Sequence, residues 1–158
     1  MLEFDVKITD KDLYDYMMAH SYNSASGILG SCVGGLMVVV ALLNGHWLYL
    51  ICGVILLLYL PLNLRIKSKQ QLVNNDAFRK PLHYIVNEEG ITISQGEQSQ
   101  TQKWEAMYKA VSTNRSIIVY TSKVSATIFP RSQMGENTVK VIEMISTHMP
   151  PKKVKIRY

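Results

Sequence analysis

No Asp, Glu, Lys or Arg occurs between Ala25 and Leu64. A soluble domain spreads its apolar residues at period 2 or 3.6 beneath polar faces, so a charge-free block of this length excludes an ordinary surface helix or strand. Cysteine is scarce too: Cys32 and Cys52 are the only two, both inside the block. On antiparallel helices either side of a turn near Gly45 they would differ in depth by roughly 9 Å at ~1.5 Å per residue. That argues against a disulfide and leaves them as small apolar residues. No two of His20, His46, His83 and His148 stand three or four residues apart, so no helical metal pair exists. CxxC, HExxH, GxSxG and a phosphate-binding glycine loop are all missing. The chain is therefore read as non-enzymatic, with no cofactor and no metal.

The charge-free block holds 40 residues, too many for one membrane span and enough for two at ~20 residues per ~30 Å of hydrocarbon. Its one break, Asn44-Gly45-His46, reads as a turn, giving spans at about 25–43 and 47–64. The acidic residues ahead of the block and its length argue against a signal peptide. The inter-span loop has no Lys or Arg, whereas Arg65, Lys67, Lys69, Arg79 and Lys80 follow the second span. The positive-inside rule then puts both termini in the cytoplasm of a two-span, multi-pass cell-membrane protein. His46, Trp47 and Tyr49 would form an outer aromatic belt, with Tyr22 and Tyr59 near the inner surface.

Ser26, Gly30 and Gly34 recur at four-residue spacing in the first span. Small residues on one face let helix backbones approach. The stripe fits packing of span one on span two, whose Gly53 could face it, or a homo-oligomer. Pro61 is expected to kink or end the second helix.

Residues 2–8 alternate apolar and charged, as a half-buried strand does, and a helix follows from about Asp10 to Ser21. Residues 65–81 read as a basic linker or a continuation of span two. From Leu82 the period becomes 2, and six short strands are expected: His83–Asn87, Ile91–Ser94, about Gln98–Trp104, Met107–Thr113, Ser116–Thr121 and Ser125–Phe129. A helix from about Gly135 to Met149 closes this part, with Val141, Ile142, Ile145, His148 and Met149 on one face. The layout is thus residues 1–24, a hairpin at 25–64, a linker at 65–81, a β-domain at 82–149 and a basic tail at 150–158. Trp104 is read as a core anchor of the β-domain, and Arg131 as a surface cation at a helix start. The tail cations Lys152, Lys153, Lys155 and Arg157, with Arg65, Lys67 and Lys69, fit either solvated ends or docking on an anionic leaflet at about 1 kcal/mol per cation. Nucleic acid is excluded as a partner, because no aromatic groove accompanies the basic residues.

Three stretches carry a family resemblance: Tyr84-Ile85-Val86 with Glu89-Gly90-Ile91, then Trp104-Glu105-Ala106-Met107, then Ile128-Phe129-Pro130-Arg131. With the order of strand, helix, two spans, meander and helix, they resemble the YcxB-like bacterial membrane proteins. Where that family shows an aromatic after the Pro-basic step, this chain has Met134. The C-terminal part is similar to a pleckstrin-homology-like split β-barrel of seven strands closed by a C-terminal helix. The strand at residues 2–8 would supply the seventh, tying the N-terminus to the domain across the hairpin. The resemblance implies an α+β membrane protein with a two-helix transmembrane hairpin and a cytoplasmic antiparallel barrel. Carboxylates at Glu88 and Glu89 would repel the phosphate that phosphoinositide-binding domains hold. The expected function is a non-enzymatic membrane-anchored module that binds a protein or peptide partner or supports a membrane complex. An immunity protein against a bacteriocin or membrane-directed toxin is the alternative, by analogy alone.

Overall fold

The alternation of Leu2, Phe4 and Val6 with Glu3 and Asp5 produces a strand, β1 (Leu2–Val6), with Val6 fully buried. This is a computed structural model that describes residues 1–157; Tyr158, the last residue of the basic tail, lies outside them. Helix α1 (Asp10–Tyr22) starts from a capping box. The Asp12 carboxylate accepts from Thr9 N–H at 3.0 Å and Thr9 Oγ1 at 2.6 Å, and Asp12 N–H donates back to Thr9 Oγ1 at 3.3 Å. The chain then forms α2 (Ala25–Asn44) and α3 (Trp47–Asn74). Six strands follow: β2 (Leu82–Val86), β3 (Gly90–Gln95), β4 (Gln98–Lys103), β5 (Lys109–Ser112), β6 (Ser116–Tyr120) and β7 (Ala126–Pro130). Helices α4 (Arg131–Met134) and α5 (Asn137–His148) and a short strand β8 (Val154–Lys155) complete the chain.

Two units result. The first joins residues Met1–Tyr16 to the chain from Leu72 onward, and the second is Met17–Gln71. In the first unit, β1 pairs antiparallel with β2, Leu2 opposite Val86 and Val6 opposite Leu82. One sheet runs β1-β2-β3-β4 and a second β7-β6-β5-β8. Both faces of β6 are buried along its whole length. The sheets share a core in which Phe129 of β7 lies 5.1 Å from Tyr84 of β2 and 6.1 Å from Phe4 of β1, centroid to centroid. From α5, Val141, Ile142 and Ile145 enter the same core.

The expected barrel is not closed. Strands β4 and β5 do not pair; a 3-10 turn at Trp104–Ala106 separates them and begins the second sheet. The reason is compositional. Gln98-Ser99-Gln100-Thr101-Gln102-Lys103 has no apolar residue for either face, so this strand gains nothing from being wrapped over a core. The basic tail also departs from a solvated end. Its Val154 and Lys155 pair in parallel with Ala110 and Val111 of β5, adding a strand that its cationic sequence does not advertise. Arg131 is the partner of this arrangement rather than a free surface cation, since its Nη2 donates to the Arg157 carbonyl at 2.6 Å.

In the second unit α2 and α3 form an antiparallel hairpin. Gly45 at φ 70° ends α2 in the left-handed conformation that glycine favours. Ser24 caps α2, accepting from Gly27 N–H at 3.2 Å. Pro61 does not end α3, which runs on to Asn74, so that of the two readings of the basic segment, linker or continuation of span two, the helix follows the second over residues 65–74. Both helices are long and apolar enough to cross a membrane. Their apolar side chains point outward: Leu42 is 72% exposed and Leu48 71%.

Candidate functional site

The residues singled out from sequence fall in three places. On α3, Arg65, Lys67 and Lys69 are all exposed. Helical geometry sets Arg65 and Lys69 on one face and Lys67 on the opposite one, so they form no single patch. In the tail, Lys152 and Lys153 occupy a 3-10 turn and Lys155 lies in β8. Lys153 is committed, its Nζ donating to the Met107 carbonyl at 3.0 Å. Arg157 is held through its backbone, its N–H donating to Ser112 Oγ at 2.7 Å. The side chains of Lys152, Lys155 and Arg157 are exposed.

The small-residue stripe packs differently from expectation. The buried positions of α2 are Gly27, Gly34 and Ala41, seven apart, whereas Ser26 and Gly30 are exposed. A Cβ on Gly53 would stand 2.8 Å from the Gly34 carbonyl, and one on Gly34 would stand 3.0 Å from Leu57. A Cβ on Gly30 would meet nothing within 4 Å. A Cβ on Gly27 would meet the Ser21 backbone at the end of α1, so its burial comes from the preceding turn. Of Ser26, Gly30 and Gly34, only Gly34 reaches the second helix.

A groove of about 280 Å³ lies at the serine-rich end of this hairpin, lined by Ser24, Ser31, Leu56 and Leu60 among others. Two of its hydroxyls are spent locally, Ser24 Oγ donating to Ser21 O at 2.6 Å and Ser31 Oγ to Gly27 O at 2.8 Å. It offers apolar surface and little directed chemistry.

Trp104 is buried as expected, 4% exposed. Its Nε1 donates to the Asn87 carbonyl at 2.9 Å, and its ring stacks on His148 at 5.5 Å with 19° between planes. His148 is oriented from below, Nδ1–H donating to the Met144 carbonyl at 2.9 Å. Above them opens a cleft of about 460 Å³ lined by Glu88, Glu89, Lys103, Trp104, Glu105 and His148. The Glu88-Glu89 turn is tied down by Asn87, whose Oδ1 accepts from Glu89 N–H and Gly90 N–H at 3.0 Å each. Gly90 is required there, because a Cβ would collide with the Gln102 carbonyl of β4. Three carboxylates around an aromatic floor suit N–H donors and cationic side chains and disfavour phosphate. Among the described residues no group of His, Cys, Asp and Glu could hold a metal ion. Sequence reasoning placed Glu88, Glu89, Trp104 and His148 on separate elements. Only tertiary packing joins them, and no local spacing announces it.

Two titrating groups elsewhere are shifted by their surroundings. Burial and the neighbouring Tyr16 push the Tyr120 phenol up to about 12, so it stays protonated. His83 sits between two carboxylates, Nδ1 at 2.7 Å from Asp5 and Nε2 at 2.9 Å from Glu3. The Asp5 hydrogen bond is the main cause that raises its pKa.

A family model described as YcxB-like protein matches residues 86–145, which takes in β3 to β7, α4 and most of α5. The cleft residues Glu88, Glu89, Lys103, Trp104 and Glu105 fall inside the match, and β1 and the apolar hairpin fall outside it. No curated protein and no solved structure matches this chain.

Proposed function

We propose that this protein is a non-enzymatic, membrane-anchored module whose pleckstrin-homology-like unit binds a protein or peptide partner on the cytoplasmic side. The observation that carries this is the hairpin. Its apolar side chains face outward with no second layer over them, a surface that water penalises and a bilayer covers. It is inserted in the chain between β1 and β2, which are neighbours in one sheet. Two packed sheets with a helix after the last strand of the meander support the pleckstrin-homology-like comparison, with the sheets left open. The acidic cleft beside Trp104 is the partner surface of this reading, and cationic or N–H-rich segments are its chemistry.

Two measurements test it. Expressed full-length, the protein should stay with membranes through alkaline carbonate. Asn44→Cys should label from outside the cell and Ser125→Cys only after permeabilisation, both in a background with Cys32 and Cys52 replaced by alanine. Release by carbonate, or the opposite labelling pattern, would reject the anchor or its orientation. A photo-crosslinking residue in place of Glu105 should give one discrete adduct in cells, lost when Glu88 and Glu89 become lysine. Absence of any adduct would count against a partner at the cleft.

A further inference from the structure

Strand β4 is the longest of the four edge strands among the described residues. At the other end of its sheet, the chain after β1 is clasped by α4: Lys7 N–H donates to Gln133 Oε1 at 2.8 Å and Gln133 Nε2 donates to the Lys7 carbonyl at 2.9 Å. In the second sheet, edge strand β8 has two residues, and edge strand β7 ends in Pro130 and leads directly into α4. Strand β4 has six residues, no proline and a single lysine at its end, so it lacks the devices that usually blunt an edge.

Its outward groups can be assigned. Trp104 N–H donates to the Glu89 carbonyl at 3.3 Å, and the register pairs Gln98 with Gln95, Gln100 with Ile93 and Gln102 with Ile91. Even-numbered residues therefore bond to β3, and the N–H and C=O groups of Ser99, Thr101 and Lys103 point away from the sheet. Two identical strands can join antiparallel only about a two-fold axis normal to the sheet, which pairs residues of the same parity. With the axis at Gln100, Ser99 lies opposite Thr101 of the other copy, and Glu97 opposite Lys103 at both ends. Ser99 and Thr101 exchange the outward hydrogen bonds in both directions. They also extend a hydroxyl row already present, in which Thr92 meets Thr101 at 2.9 Å and Ser94 meets Ser99 at 3.3 Å. On the opposite face Gln98 meets Gln102 and Gln100 meets itself. Glu97 and Lys103 are exposed and form no ion pair among the described residues.

We infer that β4 is a self-association edge: a second copy of this chain adds antiparallel about Gln100, making one continuous eight-stranded sheet closed at each end by a Glu97–Lys103 pair. Every group the strand presents has its complement in the same six residues and the turn before them. This goes beyond partner binding at the cleft and does not require the hairpin to cross a membrane. In a bilayer, confinement of copies to one surface would raise their effective concentration.

The test uses the full-length chain in mild detergent with Cys32 and Cys52 replaced by alanine. Residues facing each other across a non-hydrogen-bonded pair have Cα atoms about 4.5 Å apart, within disulfide reach. Gln100→Cys should oxidise to a covalent dimer, and Gln98→Cys, offset from its own copy by about 13 Å at ~3.4 Å per residue, should not. Glu97→Lys and Lys103→Glu should each cut the Gln100→Cys dimer yield at least five-fold, and the double swap should restore it. Equal cross-linking at positions 98 and 100, no cross-linking at 100, or a double swap no better than the singles would overturn the inference. Since Glu97 and Lys103 are exposed, their exchange reads association without touching the core.

Discussion

Replacing Phe129 by alanine tests whether the first strand and the last strand of the meander share one core. The ring is fully buried in β7 and contacts Phe4 and Tyr84 of the other sheet. Truncating a buried phenylalanine costs about 3–5 kcal/mol, the transfer term plus the cavity left behind. Domain stabilities are about 5–15 kcal/mol, so the variant should be folded but severely weakened. With a urea m-value of about 1.5–2 kcal/mol/M, the midpoint should fall by about 2 M. Trp104 can report this alone if Trp47, which is 75% exposed in the hairpin unit, is first changed to phenylalanine. Unfolding is then followed by indole fluorescence of the full chain in detergent. Phe4→Ala should also lower the midpoint, by a smaller amount because that ring is only partly buried. Val139→Ala, 52% exposed on α5, is the control and should move it by less than about 0.5 kcal/mol. An unchanged midpoint for Phe129→Ala, or a Phe4→Ala chain as stable as the parent, would refute the shared core and detach β1 from the fold.

Three further outcomes follow from the geometry. The raised pKa of His83 means that its contribution to stability is fully present below its unfolded value of about 6.5 and is lost as pH rises through the folded value. Histidine NMR titration should give a value above 6.5 that falls on Asp5→Asn, and an unshifted titration in the parent would show that the carboxylates do not engage the ring. Gly53→Val should disrupt the helical hairpin and lower its melting temperature in detergent, whereas Gly30→Val should leave it unchanged; equal effects would contradict the close Gly34–Gly53 approach. Arg131→Met removes the donor to the Arg157 carbonyl and should speed proteolytic trimming of the basic tail several-fold, with equal trimming rates as the disproving result.

Much of this architecture was legible because it rests on local periodicity. The charge gap from Ala25 to Leu64 and the Asn44-Gly45-His46 turn marked the two apolar helices, since both signals are read within a few residues. Alternation likewise located β2 to β7 to within two or three residues at either end. What failed was decided by partners distant in sequence. The tail's pairing with β5 depends on a docking surface that its lysines do not encode. The close approach of the helices at Gly34 and Gly53 depends on how α2 and α3 meet, which the four-residue spacing of Ser26, Gly30 and Gly34 does not encode. Of the two outcomes expected at Pro61, a kink or an end, the helix shows no end there, as apolar helices with alternative backbone partners allow. The open sheets are written in Gln98-Ser99-Gln100-Thr101-Gln102-Lys103, whose strand length suits a barrel but which has no inward apolar row. The cleft was invisible because Glu88, Trp104 and His148 meet only in three dimensions.

The pairing of β1 with β2 also sets an order of events during synthesis. Val6 leaves the ribosome long before its partner Leu82, with the whole helical hairpin made between them. Until Leu82 emerges, the apolar side chains of Leu2, Phe4 and Val6 have no sheet to join and are open to chaperones or to mispairing. Closing a loop of that length is entropically costly if the chain between is flexible. A folded antiparallel hairpin turns the chain back toward the side from which it departed, so the effective loop shrinks to α1 and the connections on either side of the hairpin. Assembly of the helices would then precede and accelerate completion of the first sheet. Loosening the Gly34–Gly53 contact would be felt as slower maturation of strands it never touches.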